Sequence, residues 1–122
     1  MTLYEATQLS TLLGSTDVTD IVGDRIYPSA LPSNPTLPAV TYTLISSPRD
    51  VTQTGSGLTR PRYRWDCWAE TYDTAVALAI VVIQALGAGR WVADEADHRE
   101  PLTGLFRRRV DILGWINSPE AP

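Results

Sequence analysis

The chain predicts an α+β fold: an antiparallel or mixed sheet of three to five strands with helices packed on one face. Three observations carry that reading. Residues 62–69 (RYRWDCWA) alternate with period two, setting Arg62, Arg64 and Asp66 on one face and Tyr63, Trp65 and Cys67 on the other. Residues 75–86 (AVALAIVVIQAL) follow as an almost wholly apolar run of helical length. Further β-branched and aromatic runs stand at 39–46 (AVTYTLIS) and 105–116 (LFRRRVDILGWI). Strands paired as hairpins, with helices segregated to one face, form this class.

Each element follows in order. Leu3, Ala6, Leu9, Leu12 and Leu13 recur at roughly helical spacing, so 3–13 reads as a first helix. Gly14 is placed to close it in the left-handed conformation. Ser15-Thr16-Asp17 offers a cap for a short second helix ending near Val22-Gly23. Residues 24–27 read as a brief extended piece. Pro28, Pro32, Pro35 and Pro38 then forbid a helix or central strand, making 28–38 a stiff surface loop.

Strand 39–46 leads into 47–59, a polar stretch with Pro48, Gly55 and Gly57 that reads as a long mobile loop. It joins the first strand antiparallel to 60–69. Thr71 caps helix 72–87, and Gly87-Ala88-Gly89 stops it. Arg90-Trp91-Val92 reads as a short strand, 93–104 as an acidic loop, 105–116 as the last strand, and 117–122 as a flexible tail. The whole, 1–122, reads as one domain large enough for its own core.

A helix apolar all round must be covered all round. One sheet covers one side of 72–87, so the other side calls for another helix or another copy of the chain. The run is far shorter than the roughly 20 residues needed to cross a bilayer, and no membrane partner is expected. The N-terminus shows no basic region followed by an apolar run, so nothing points to secretion.

A formal net charge of −4 argues against a dedicated nucleic-acid surface. All ten basic residues are arginine, which suits fixed, planar, multi-bond contacts; a genome rich in arginine codons is the plainer explanation. Arg62-x-Arg64-x-Asp66 recurs as Arg107-x-Arg109-x-Asp111. In each strand the three charges share a face, and Phe106, Val110 and Ile112 take the opposite face of the second. Neighbouring strands would merge the charges into one patch. That patch reads as a solvated sheet face with weak ion pairs, as a subunit contact or, least in keeping with the acidic total, as a nucleic-acid-binding face.

The residues offer no catalytic, cofactor or metal arrangement. His98 is the single histidine and stands in a solvated acidic stretch. Cys67 is the single cysteine, and its place between tryptophans protects rather than activates it. A Cys67/His98 nucleophile pair is therefore weak. Gly55-Ser56-Gly57 lacks the lysine and the strand-to-helix setting of a phosphate loop.

The ordered segments Val22-Gly23-Asp24-Arg25-Ile26-Tyr27-Pro28, Leu37-Pro38-Ala39-Val40-Thr41-Tyr42, and Tyr63-Arg64-Trp65-Asp66-Cys67-Trp68-Ala69 before an apolar helix span nearly the whole chain. In order and spacing they resemble the tail completion, or tail terminator, family of long-tailed bacteriophages. The resemblance implies an α+β subunit without catalysis or cofactor. It implies assembly with itself as a ring, commonly six-fold, at the head-proximal end of the virion tail after assembly in the host cytoplasm. The implied partners are the tail tube protein and the head–tail connector or stopper, with DNA passing the lumen without specific binding.

At the matched positions, Asp24, Arg25, Tyr27 and Pro28 either build a turn, with polar contacts between Asp24 and Arg25, or touch the ring. Pro38 and Tyr42 belong to the strand motif. Asp66, by pairing with an arginine, and Trp68, by burial, are expected to fix the strand-to-helix corner. Val76, Ile80 and Ile83 face either a sister subunit or the monomer core. A neighbouring head-completion or stopper protein is the rival within the same particle. A small enzyme or ligand-binding module using Cys67, His98 or the arginine face is the rival outside it.

Overall fold

A computed structural model of the chain describes residues 3–47, 58–87 and 90–117. Helices α1 (Leu3–Leu13) and α2 (Thr16–Val22) open the chain, followed by strands β1 (Ile26–Pro28) and β2 (Ala39–Ser46). Then come β3 (Leu58–Thr59), β4 (Arg62–Ala69), α3 (Tyr72–Leu86), β5 (Arg90–Arg99), β6 (Phe106–Gly114) and β7 (Ile116–Asn117). Five strands form one mixed sheet in the order β1-β2-β4-β6-β5, and β3 pairs with β7 in a second, two-stranded one. Among the described strands of this sheet, only β1 runs parallel to its neighbour.

The β4 alternation works as the sequence reading expected. Tyr63, Trp65 and Cys67 are at most 1% exposed on the face that meets α3. Register pairs Trp65 with Val110 and Tyr63 with Ile112, so β6 extends the same apolar surface. Tyr42 continues it on β2, its ring 5.3 Å from Trp65. Burial, and then the charge of Glu5, push the Tyr42 phenol above its ordinary pKa.

Helix α3 is capped by Thr71, whose hydroxyl accepts from the Thr74 amide. It packs on β4 and β6 with one side and on α1 and α2 with another. Ala75, Leu78, Ala79, Val82 and Leu86 are buried. Each of the larger side chains contributes about 1.5–3 kcal/mol by leaving water. The second cover expected for this rod thus comes largely from the chain's own helices. What stays open is a narrow stripe: Ile80 is 49% exposed, with Val76 and Ile83 half-buried beside it.

Helix α1 turns a different face inward than its leucines suggest. Tyr4, Gln8 and Leu12 are buried at i, i+4 and i+8, while Leu13 is 42% exposed. The ring of Tyr4 lies 5.8 Å from that of Tyr63, and Tyr63 donates to Glu5, so aromatic and polar contacts dock the helix. Gly14 does not take the left-handed conformation; the positive φ of 59° belongs to Gly23, after α2.

The largest departure concerns residues 93–104, expected as an acidic loop. Strand β5 runs ten residues, Arg90–Arg99, and pairs with β6 along its length apart from a bulge between Val92 and Asp94. Asp97 lies directly opposite Arg108, while Asp94 and Glu95, in register with Asp111 and Val110, reach Arg109 and Arg108 diagonally, so the arginines of β6 neutralise all three across the ladder. The loop shrinks to a turn at 100–105. The end of the segment expected as a long loop, Leu58–Thr59, pairs with Ile116–Asn117. The rest of that segment, 48–57, and the tail from 118 lie outside the described residues.

Candidate functional site: the arginine face and the helix stripe

Among the described residues, no helix covers the face of the sheet opposite α3. Alternation in β4, β6 and β5 gathers on it Arg62, Arg64, Asp66 and Trp68, then Arg107, Arg109 and Asp111, then Asp94 and His98. The two Arg-x-Arg-x-Asp strands are neighbours, as their repeat required, and antiparallel register sets Asp111 opposite Arg64 and Asp66 opposite Arg109. The six charges expected on one patch are on one patch.

The two aspartates of the repeat live in opposite circumstances. Asp111 receives four hydrogen bonds: Arg62 Nε and Nη2 donate at 3.0 and 2.6 Å, and Arg64 Nε and Nη2 at 2.9 and 3.2 Å. Between the two guanidinium groups the carboxylate has no solvent exposure although it sits on the open face. Burial alone would raise the Asp111 pKa; hydrogen bonds from Arg64 and Arg62 outweigh it and hold the carboxyl below its ordinary value. Asp66 is nearly as buried, at 7% exposed, yet its closest cation is Arg107 Nε at 3.9 Å. That is beyond hydrogen-bond reach, and neither Asp66 Oδ1 nor Arg107 Nε finds a partner among the described residues. Burial therefore pushes the Asp66 carboxyl up, with the Arg107 charge only partly opposing it.

Trp68 belongs to this face and is half-buried rather than buried. Its indole N–H donates to Thr41 at 3.0 Å, and the Arg107 guanidinium stands 5.3 Å from the ring. It braces β2 against β4 from the charged side, half-buried where burial was expected. Arg109 donates to Asp94 at 2.7 Å. Arg108 points to the α3 side of the sheet and meets both Asp97 oxygens at 2.9 and 3.0 Å. This hydrogen bond raises the Arg108 pKa further. Sequence reasoning missed Asp94 and Asp97 as strand partners; their signal was the alternating charge that complements Arg107-Arg108-Arg109.

Arg25 is committed to backbone. Nε donates to the Pro38 carbonyl at 3.0 Å and Nη2 to that of Ile21 at 3.2 Å, tying α2, β1 and the proline loop together. The polar contact expected with Asp24 is replaced by these bonds. Pro28 ends β1 opposite Tyr42 of β2, and Tyr27 is half-buried one residue before.

Cys67 and His98 stand on opposite faces of the sheet. Cys67 is fully buried under α3, and His98 is exposed opposite Arg107 on the charged face. They cannot act as a nucleophile–base pair in this fold. Burial pushes the Cys67 thiol far above its ordinary range, where it is a poor nucleophile. An aromatic disulfide reagent at pH 8 should therefore label no thiol in the native chain and one in denaturant. Fast labelling of the native chain would contradict the burial described.

A family model described as Tail completion protein gp17 matches residues 9–117. A chain in the solved virion of a native gene transfer agent (GTA) particle has a similar fold, with a TM-score of 0.71 at 17% identity. The likeness covers 96% of this chain and 92% of that one. No curated protein matches. The family match takes in the proline-bearing β1–β2 step, both arginine strands and α3, and on it the chain belongs to the tail completion protein gp17 family.

Proposed function

We propose that the chain is a structural subunit of a phage or phage-like virion tail. Copies of it form a closed ring, six-fold in the usual manner of the family, at the head-proximal end of the tube. There the ring ends tube polymerisation and presents a surface to the head connector. The observation that carries this reading is the family match over residues 9–117. The resemblance of the fold to a chain of a gene transfer agent virion supports it.

Two surfaces suit the role. The stripe Val76–Ile80–Ile83 on α3 is apolar and partly open, as a surface awaiting a sister subunit would be. On the face bearing Arg62, Arg64, Arg107 and Arg109, Asp111 holds the guanidinium groups of Arg62 and Arg64 and Asp94 that of Arg109, so these three are set in place for contact with a neighbouring protein. Six copies at −4 each would carry about −24, a sign that lets DNA pass a channel without adhering. No cofactor is called for.

The test is genetic. Particles assembled without the chain should carry tubes of uncontrolled length that fail to join heads. Tubes of normal length that fail only to join heads would move the chain to the stopper position. Tails of normal length joined to heads would refute the role.

A further inference from the structure

The hairpin of β5 and β6 carries an apolar knob at one end and an apolar notch at the other. The knob is Leu102, 99% exposed at the tip of the turn. The turn that presents it is ordered. The Glu100 amide donates to the Leu105 carbonyl at 2.9 Å, the Gly104 amide donates to the Glu100 carbonyl at 2.8 Å, and Pro101 stiffens the entry. Gly104 sits at φ 72°, where a side chain would be strained. Leu102 is therefore held out by a fixed scaffold, and little ordering entropy remains to be lost on docking.

The notch, of about 200 Å³, opens where the C-terminus of α3 meets the start of β5. Ile83, Leu86, Trp91, Val92 and Ile112 line it, with Trp91 43% and Val92 38% exposed. A cavity of about 150 Å³ already admits a benzene-sized guest, so this one has room for a leucine side chain. Arg90 stands at its rim, its guanidinium fixed by the Tyr4 hydroxyl and the Leu86 carbonyl, and Glu100 stands beside the knob, so a held cation flanks the notch and a carboxylate the knob. Through Ile83 the notch runs on into the stripe of Ile80 and Val76.

We propose that Leu102 of one copy docks in the notch of the next copy, and that this knob-in-notch contact is the joint between adjacent subunits of the ring. The inference rests on the ring reading and specifies how it is built. Register places the tip end of the hairpin, Arg99 with Phe106, at the far end of β5 from Arg90 with Gly114. Across a ten-residue strand the two surfaces are separated by roughly 30 Å. Two different patches so far apart can meet reciprocally, which ends at a two-fold pair, or head-to-tail, which closes into a ring or extends as a filament. The ring requires the second, and a doubly substituted chain whose cross-linking stops at the dimer would overturn it.

Cross-linking tests this directly. Leu102→Cys and Val92→Cys are made as separate variants and as a double variant, and oxidised at concentrations where light scattering shows the unmodified chain assembled. Native Cys67 is buried and stays silent. Each single variant alone should give no disulfide-linked species, their mixture should give linked dimers, and the double variant should give a ladder ending at the ring. Leu102→Asp should raise the concentration for half-assembly by about tenfold or more without changing the melting temperature of the dilute, unassembled chain. Disulfides within either single variant alone, an assembled mixture that does not cross-link, or a Leu102→Asp variant that assembles like the parent would each overturn the contact while leaving the ring intact. A parent chain that stays monomeric at every concentration would overturn the contact and count against the ring.

Discussion

Asp111→Asn should lower the melting temperature by about 10 °C, whereas Asp66→Asn should leave it unchanged or raise it slightly. The two residues hold equivalent places in a repeated Arg-x-Arg-x-Asp pattern and differ only in what reaches them. Asp111 takes four guanidinium hydrogen bonds and has no solvent exposure. An amide there would turn N–H donors toward arginine donors and leave two cations without their counter-charge. Removing one partner of a buried pair costs about 3–5 kcal/mol. Arg62 and Arg64 retain 33% and 30% exposure and can recover some hydration, so about 2–4 kcal/mol is expected here. For a chain of this size that corresponds to about 10 °C. Asp66 is buried with its Oδ1 unpartnered. Its ionised form is a net cost at neutral pH, and an amide relieves it.

The pH dependence separates the same two groups. The Asp111 pKa is lower in the folded chain than in the unfolded one. Its stabilisation is complete above the unfolded carboxyl value of about 3.9 and is lost as pH falls through the lower folded value. Asp66 has the raised folded value. Its contribution is present below about 3.9 and is lost as pH rises through the folded value. Melting temperatures between pH 2 and pH 8 should show Asp111→Asn flattening the acid limb and Asp66→Asn gaining most above it. Equal effects of the two substitutions would show that the described asymmetry is wrong.

The second large effect lies on α3. Leu78→Ala should cost about 2–5 kcal/mol of folding stability, since Leu78 is fully buried against the sheet and first helices. Ile80→Ser, two residues on, should change folding stability by less than about 1 kcal/mol because Ile80 is 49% exposed. It should instead weaken association between copies. Paired measurements of denaturant midpoint and of oligomer mass against concentration check both. An Ile80→Ser chain that loses folding stability as Leu78→Ala does, or assembles undiminished, would remove the stripe from the interface.

How far the fold was legible depended on how local its causes are. Strand β4 and helix α3 were readable nearly to the residue, because alternation in 62–69 and the apolar run of 75–86 are self-contained signals. The shared face of Arg62, Arg64, Asp66, Arg107, Arg109 and Asp111 followed from alternation alone. Strand β5 was not legible in this way. Its residues Asp94, Glu95 and Asp97 resemble a solvated loop in composition, and what holds them extended is a row of arginines on β6, beyond a turn. Strands β3 and β7 are two residues each, too short to carry a period. On α1 the inward stripe includes Gln8, which a search for leucines passes over. The unequal fates of Asp66 and Asp111 depend on which arginines come within 3 Å, and no repeat in the sequence encodes that.

The most direct measurement is a reconstruction of the assembled particle at a resolution that traces this chain. The account predicts a closed ring of identical copies capping the tube beneath the head, with Ile80 and Ile83 of each copy against a neighbour. A lone copy, or copies seated elsewhere in the particle with that helix stripe facing solvent, would contradict it.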